Sequence, residues 1–102
     1  MHIISEKTLR DFWRRHADAE SPLRAWARHT RKSQWLSFAD VRKSFPHADL
    51  IGKCVVFNIG GNKYRLITVI HFEAIRQKVY VRHVLTHREY DDGKWKEGCG
   101  CA

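Results

Sequence analysis

The hydrophobic pattern changes its period near residue 50, and this change constrains the fold of the 102-residue chain more than any other feature. Before it, apolar residues such as Leu9, Phe12 and Trp13 recur at helical spacing. After Gly52, runs rich in β-branched and aromatic residues predict strands. A chain of this length supports a single core. We therefore predict an α+β fold in one domain over residues 1–102, with N-terminal helices packed on a small antiparallel sheet.

Three helices are predicted in the first half. The first follows a candidate N-cap at Ser5, and the second opens with Ser21 as N-cap and Pro22 at its first position. The third begins after the N-cap Ser37 and ends before Pro46. The tryptophans of the first two helices are expected to pack in the core between them.

The second half predicts three strands, over residues 54–57, 64–72 and 78–85. The Gly-Gly-Asn turn at 60–62 is typical of a hairpin, so the first two strands should pair antiparallel, and the third should extend the meander. Residues 2–4 are predicted to add an edge strand. The polar, aromatic stretch after the third strand is predicted to form a turn or a short helix.

Alternation along these strands predicts which side chains share a face. Arg65 and His71 are expected on an open face of the sheet, while the apolar alternate residues meet the helices. In the third strand, Arg82 and Val84 fall on one face. His83 falls on the other with the core valines, which predicts a buried, structural histidine.

Charge and cysteine content indicate the class of partner and the cellular location. Nineteen Lys and Arg against eleven Asp and Glu give a formal charge of +8 and a pI near 9.8, which favours a polyanion such as nucleic acid as partner. No apolar run reaches the roughly 18 residues of a membrane span. The odd number of cysteines predicts free thiols and a cytoplasmic location, with Cys54 as a small buried hydrophobe. Cys99 and Cys101 lack zinc-ligand spacing, so neither metal nor cofactor is expected, and residues 98–102 are expected to be flexible.

An arginine-bearing sheet face beside a histidine- and tyrosine-containing segment is suited to phosphate chemistry. RNA carries its own nucleophile, the 2′-hydroxyl, so an enzyme needs only a base, an acid and a clamp for the phosphate. We assign His87 as the general base, and Arg65 and Arg82 as the phosphate clamp. Tyr90 or Lys94 is the candidate acid.

Two linked motifs indicate a family. Residues 56–66 read V-F-N-I-G-G-N-K-Y-R-L and residues 81–91 read V-R-H-V-L-T-H-R-E-Y-D. Together they resemble the HigB family of bacterial type II toxins, a branch of the RelE/ParE superfamily, and residues 2–5 and 92–96 are also similar. The resemblance implies a RelE-like fold and a cytoplasmic mRNA interferase that often cleaves mRNA on the ribosome. It also implies an inhibitory HigA-type helix-turn-helix antitoxin, with operator DNA contacted only through the toxin–antitoxin complex.

The resemblance and the charge pattern together give a set of predicted site residues. The family motifs match at Asn58, Lys63, Arg65, Thr86, His87, Tyr90 and Lys94. The charge argument adds Arg82, Arg88 and Lys96. Of these, we predict RNA-binding roles for Asn58, Lys63, Arg82, Thr86, Arg88 and Lys96.

Two other functions are also compatible with the sequence. One is a toxin of the same fold that cuts no RNA and poisons gyrase. The other is a basic module that binds RNA with steep salt dependence and leaves it intact.

Overall fold

A computed structural model describes residues 1–100 of the chain and shows a five-stranded sheet in the order β1-β5-β4-β3-β2. The strands are β1 (His2–Ile4), β2 (Asp49–Ile51), β3 (Cys54–Ile59), β4 (Tyr64–His71) and β5 (Lys78–Thr86). The helices are α1 (Glu6–Arg15), α2 (Glu20–Arg31), α3 (Phe38–Ser44) and α4 (His87–Asp92), with 3₁₀ helices at Ala17–Ala19 and Lys94–Cys99. The predicted α+β class is confirmed. The sheet is mixed, because β1 pairs with β5 in parallel while the other neighbours are antiparallel.

The main core lies between one face of the sheet and the N-terminal helices. Among its buried side chains are Leu9, Leu23, Trp26, Phe57 and Leu66. The rings of Trp26 and Phe57 meet edge to face at 5.4 Å between centroids, so Trp26 packs as predicted. Trp13 lies only at the margin of this core, with the guanidinium of Arg24 stacked 4.8 Å above its ring.

The helix starts agree only partly with the predicted caps. Ser5 does precede α1, but its backbone is left-handed (φ 72°) and its side chain makes no capping bond. The prediction of Ser21 as N-cap is wrong, because a 3₁₀ turn runs directly into α2, which begins at Glu20. Pro22 then lies in the first turn of α2. Main-chain N–H groups of a first turn have no carbonyl partner within the helix, so the N–H that proline lacks is not lost from a hydrogen bond. Ser37 caps α3 as predicted, its hydroxyl accepting a bond from the third helical residue.

The predicted hairpin and edge strand are present. Strands β3 and β4 pair over six residues, and the turn between them uses left-handed backbone at Gly60 and Gly61 (φ 63° and 71°), which glycine adopts readily. Strand β1 lies at the sheet edge as expected. Strand β2, at the other edge, was not predicted, because it begins with Asp49, a residue type that is depleted in strands, and ends next to Gly52.

A β-bulge at Arg82 changes which residues of β5 share a face. Ile67 of β4 pairs with His83, whereas the next β4 residue pairs with Val81, so Arg82 is the extra residue. Beyond the bulge the alternation is reversed. Val84 therefore joins Val81 in the main core, and His83 is exposed. The prediction that His83 is buried among core valines is wrong for this reason.

The second sheet face is not open as predicted, because the C-terminal segment lies across it. Trp95 forms a small second core on this face with Cys54, Val56, Ile67 and Cys99. The predicted short helix after β5 is confirmed as α4. The face that carries Arg65 is thus a partly covered site rather than a free surface.

A disulfide between Cys54 and Cys99 contradicts the expectation of free thiols. Their Cα atoms lie 5.3 Å apart although 45 residues separate them in sequence, a proximity that hydrophobic patterning does not reveal. Cys99 is buried and ends a 3₁₀ helix, so the predicted flexible end is wrong up to that residue. Cys101 lies outside the described residues. Within residues 1–100, no helix is long and apolar enough to cross a membrane.

Candidate functional site

Arg65 is held by the β3–β4 turn. It lies on the second face of β4, and only 9% of the residue is exposed. Its Nη1 donates to the main-chain oxygens of Asn62 (2.9 Å) and Tyr64 (3.3 Å), and its Nη2 donates to Oδ1 of Asn62 (2.6 Å). These three bonds use three of the five N–H donors of a guanidinium. The other two donors have no partner within residues 1–100 and can bind a phosphate oxygen.

Tyr90 of α4 covers Arg65. The Arg65 Cζ lies 5.1 Å from the centroid of the Tyr90 ring, and that ring stacks on Trp95 at 5.0 Å with 16° between the planes. Trp95 Nε1 also donates to the carbonyl of Tyr90 (2.9 Å). Burial, and then the negative charge of Asp49, raises the pKa of the Tyr90 hydroxyl above its ordinary value of 10.0, against the opposing effect of Arg65. The hydroxyl is therefore protonated at neutral pH and can act as an acid.

His87 begins α4, one helical turn before Tyr90. The imidazole is exposed, and its Nδ1 lies 2.9 Å from Oδ2 of Asp91. A carboxylate in this position holds the proton on Nδ1 and leaves Nε2 free to accept one. The geometry therefore suits His87 to the role of a general base oriented by Asp91.

Thr86 positions this helix. Its hydroxyl accepts from the Glu89 main-chain N–H (3.3 Å), and Glu89 Oε1 accepts from the Thr86 main-chain N–H (2.9 Å), which is a capping box. The hydrogen bond from the Thr86 backbone lowers the pKa of Glu89. Thr86 thus fixes the start of α4.

A second group of side chains flanks the Tyr90–Trp95 stack. A pocket of about 310 Å³ is lined by His83, Lys94 and Trp95, among others. Partial burial, and then the charge of Arg82, lowers the pKa of His83 below its ordinary value of 6.5. This imidazole is mostly neutral at pH 7 and can accept a proton.

His83, which was predicted to be buried, lines this pocket instead. A signal was present, because Arg82 and His83 are consecutive polar residues followed by the consecutive apolar residues Val84 and Leu85. Two polar residues followed by two apolar residues interrupt the alternation of a strand, and such an interruption indicates a β-bulge.

The structure does not bring every predicted residue together. Lys63 is paired with Asp18, which also accepts from the Tyr64 hydroxyl (2.6 Å) and raises the pKa of Lys63. Because Tyr64 belongs to the main core, Lys63 lies on the helix side, away from Arg65 and Tyr90.

Three of the remaining predicted residues lie next to residues of the site or of the C-terminal segment that covers it. Asn58 is exposed and pairs across the strands with Arg65. Arg82 reaches back to the carbonyl of Gly98 (3.5 Å), and Lys96 lies 5.9 Å from the Trp95 ring. Arg88 is exposed on α4.

The arrangement provides groups for proton transfer beside a fixed cation. Arg65, Tyr90 and Trp95 stack in series on one face of the sheet, and the pocket that contains His83 and Lys94 adjoins Trp95. Within residues 1–100, no three His, Cys, Asp or Glu side chains lie close enough to bind a metal ion.

The sequence of the chain matches that of a known protein family. The sequence model of one family, described as the RelE-like toxic component of a toxin–antitoxin system, matches residues 19–93, which include Arg65, His87 and Tyr90. The fold and the match define the chain as a toxin of this class.

Curated relatives give the particular family. The mRNA interferase toxin HigB of Escherichia coli strain K12 is 34% identical over 94 residues, covering 89% of this chain and 88% of that protein. The mRNA interferase HigB of Shigella flexneri matches equally, and that of Escherichia coli O6:H1 is 29% identical over 94 residues, covering 89% of each chain. The chain belongs to the HigB toxin family, and a cognate antitoxin follows from that membership.

Proposed function

We propose that the chain is a metal-independent endoribonuclease that cleaves mRNA, including mRNA on the ribosome, and so inhibits translation. The observation that carries this proposal is Arg65, fixed by Asn62 and covered by Tyr90, with two N–H donors unused. The relatives named mRNA interferases support it. The toxin acts in the cytoplasm, a HigA-type helix-turn-helix antitoxin inhibits it, and operator DNA is contacted only through the toxin–antitoxin complex.

The proposed reaction is an internal transfer at phosphorus. His87 Nε2 removes the proton from the 2′-hydroxyl, and the 2′-oxygen forms a bond to phosphorus as the bond to the 5′-oxygen breaks. Tyr90 donates its proton to the leaving 5′-oxygen. Arg65 binds the phosphate oxygens, whose charge increases in the transition state. The products are a 2′,3′-cyclic phosphate and a 5′-hydroxyl.

The other predicted residues bind and place the RNA. Lys96 lies beside Trp95, Arg82 contacts Gly98 of the same C-terminal segment, and Lys94 provides a charge in the adjoining pocket. Arg88 on α4 and Asn58 on β3 present further exposed polar groups. Their contribution is sequence-independent attraction to the RNA backbone.

Cleavage in the absence of divalent ions tests this reaction. We expect the purified toxin to cut a defined RNA equally well with and without EDTA, because every proposed step uses a side chain. Mapping of both product ends should show the cyclic phosphate and the 5′-hydroxyl. The combined variant His87→Ala/Arg65→Ala, shown by circular dichroism to be folded, should leave the RNA intact.

Three outcomes would contradict the proposal. Loss of cleavage in EDTA would show that a metal ion participates. Growth arrest with intact transcripts and accumulated DNA breaks would instead support the toxin that poisons gyrase. Salt-sensitive RNA binding without any cleavage would support the binding module.

The identity of the base is tested by comparing two histidines. We expect His87→Ala to lower the cleavage rate at least about 100-fold, the usual effect of losing a general base. His83→Ala tests the rival histidine in the adjoining pocket, and its rate should fall less than that of His87→Ala. His29→Ala, at an exposed histidine of α2, is the matched control, and its rate should stay within about threefold of wild type. Single-turnover rates between pH 5 and 9 give the measurement. The reverse ranking would make His83 the base, with an acid limb below pH 6.5 because its pKa is lowered.

A further inference from the structure

The 3₁₀ helix Lys94–Cys99 is fastened to the sheet by its final residue. The Cys54–Cys99 disulfide joins it to the first residue of β3, and the Cys99 carbonyl accepts from the Lys53 main-chain N–H (2.9 Å). Both cysteines are buried, with 0% of Cys54 and 2% of Cys99 exposed. The disulfide is therefore a covalent anchor at the end of this helix that lies farther along the chain from α4.

This helix in turn supports the candidate site. Trp95 lies in it, its ring stacks on Tyr90 at 5.0 Å, and its Nε1 donates to the Tyr90 carbonyl (2.9 Å). The centroid of the Tyr90 ring lies 5.1 Å from Cζ of Arg65. One series of contacts thus runs from the disulfide to the guanidinium that binds the phosphate in the proposed reaction.

Few other contacts within residues 1–100 hold this helix in place. Of its six residues, only Trp95 and Cys99 are buried, and Arg82 reaches the Gly98 carbonyl at a distance of 3.5 Å. A 3₁₀ helix also has poorer hydrogen-bond geometry than an α-helix and is used in short pieces. Opening the disulfide therefore leaves Trp95 as the main anchor of the helix.

The cellular location indicates what such a bond does. The proposed function places the toxin in the cytoplasm, where thiol reductants keep cysteines reduced. Disulfides that form there are usually transient, with catalytic or redox-sensing roles, and are rarely permanent structural links. A cytoplasmic disulfide that supports the proposed catalytic acid is suited to redox sensing.

We propose that Cys54 and Cys99 form a thiol–disulfide switch that sets the rate of RNA cleavage by positioning Tyr90. The inference rests on the proposed nuclease function and adds its regulation. In the oxidised toxin the helix is fixed, and Trp95 holds the phenol beside the phosphate that Arg65 binds. In the reduced toxin the helix leaves the sheet for part of the time, and the acid is then poorly placed.

The switch operates by exchange with a dithiol. Local opening of the last turn, next to the exposed residues Lys53 and Gly100, uncovers the two sulfur atoms. One thiolate of the dithiol bonds to a protein sulfur as the S–S bond breaks, and the other protein sulfur leaves as a thiolate. The second thiolate of the dithiol then displaces the first sulfur. The dithiol becomes a cyclic disulfide, and its two electrons and two protons pass to the cysteines. Exchange with a small-molecule disulfide reverses the sequence.

Single-turnover cleavage of one RNA by oxidised and reduced toxin tests the switch. We expect dithiothreitol to lower the rate at saturating RNA about tenfold, because a small displacement of a catalytic group is costly. Oxidised glutathione should restore the rate. The variant Cys54→Ala/Cys99→Ala should cleave at the reduced rate and respond to neither reagent. Thiol titration verifies the redox state, and circular dichroism verifies that each form is folded at the assay temperature.

A second comparison tests whether the disulfide acts through Tyr90. Tyr90→Phe keeps the ring that stacks on Trp95 but lacks the proton that the reaction needs. Reduction should therefore change the already low rate of Tyr90→Phe by less than about twofold, as expected when one variant removes the group that the other displaces. A bond that served only stability or RNA attraction would lower both rates by the same factor.

Trypsin gives a measurement that does not depend on RNA cleavage. Lys94 and Lys96 are exposed on the 3₁₀ helix, and cutting after them requires the helix to unfold locally. We expect cutting there to be at least about tenfold faster in the reduced toxin. Cutting after Lys43 of α3, which packs on the other face of the sheet, is the control and should change by less than about twofold.

Three results would overturn the inference. One is an equal cleavage rate for folded oxidised and reduced wild type, and another is an equal loss of rate on reduction in Tyr90→Phe. The third is a thiol titration in which oxidised glutathione forms no bond between Cys54 and Cys99. Should neither redox form cleave RNA, the proposed nuclease function fails, and the trypsin comparison alone decides whether reduction releases the helix.

Discussion

Replacing Arg65 by alanine is expected to lower the rate of RNA cleavage about 1,000-fold with little change in RNA affinity. The loss follows from the role of a pre-positioned cation, which binds the phosphate more strongly in the transition state than in the ground state. The surrounding cationic residues, Arg82, Lys94 and Lys96, maintain most of the attraction for the RNA backbone. Single-turnover cleavage and filter binding on one RNA measure the two quantities separately.

Two further variants test whether the geometry of the Arg65 guanidinium matters as well as its charge. Arg65→Lys keeps the charge but loses the planar fork, so a reduction of about 100-fold is expected. Asn62→Ala removes the side-chain acceptor at 2.6 Å while the main-chain acceptor remains, and a reduction of about tenfold is expected. A folded Arg65→Ala protein that cleaves within threefold of wild type would show that the phosphate is bound elsewhere.

The sequence predicted the strands well because their signals are local. The β-branched runs of β3, β4 and β5 and the two left-handed glycines between β3 and β4 each act within a few residues. The start of α2 was predicted less well, since a helical turn at Ala17–Ala19 runs into it without a polar cap. Propensity alone does not distinguish such a continuous start from a capped one.

The candidate site depends partly on contacts between distant segments, which local sequence patterns do not encode. Arg65 was predicted from its alternation in β4, which depends on that strand alone. Its cover by Tyr90 depends on how α4 and Trp95 fold back across the sheet, and no periodicity encodes that contact. His83 was placed on the wrong face because a single bulge residue shifts every later residue of the strand to the other side.

The Cys54–Cys99 disulfide joins the C-terminal segment, which folds back across the sheet, to strand β3. Cys99 ends the last 3₁₀ helix, and its carbonyl also accepts from the Lys53 main-chain N–H (2.9 Å). Trp95, which supports the ring of Tyr90, lies in the same helix. The bond closes a loop of 45 residues that contains β4, β5 and α4. Its loss should therefore affect the site as well as the core.

The double variant Cys54→Ala/Cys99→Ala is expected to lose about 4 kcal/mol of unfolding free energy at 25 °C. A cross-link over a loop of this length restricts the unfolded chain by roughly that amount. Urea unfolding followed by tryptophan fluorescence measures the change, and wild-type protein in reductant should reproduce most of it. The double variant in reductant is the matched control, and it should unfold as it does without reductant. If reductant and the double variant both leave stability within about 0.5 kcal/mol of wild type, the thiols are free and the helix is held by Trp95 alone.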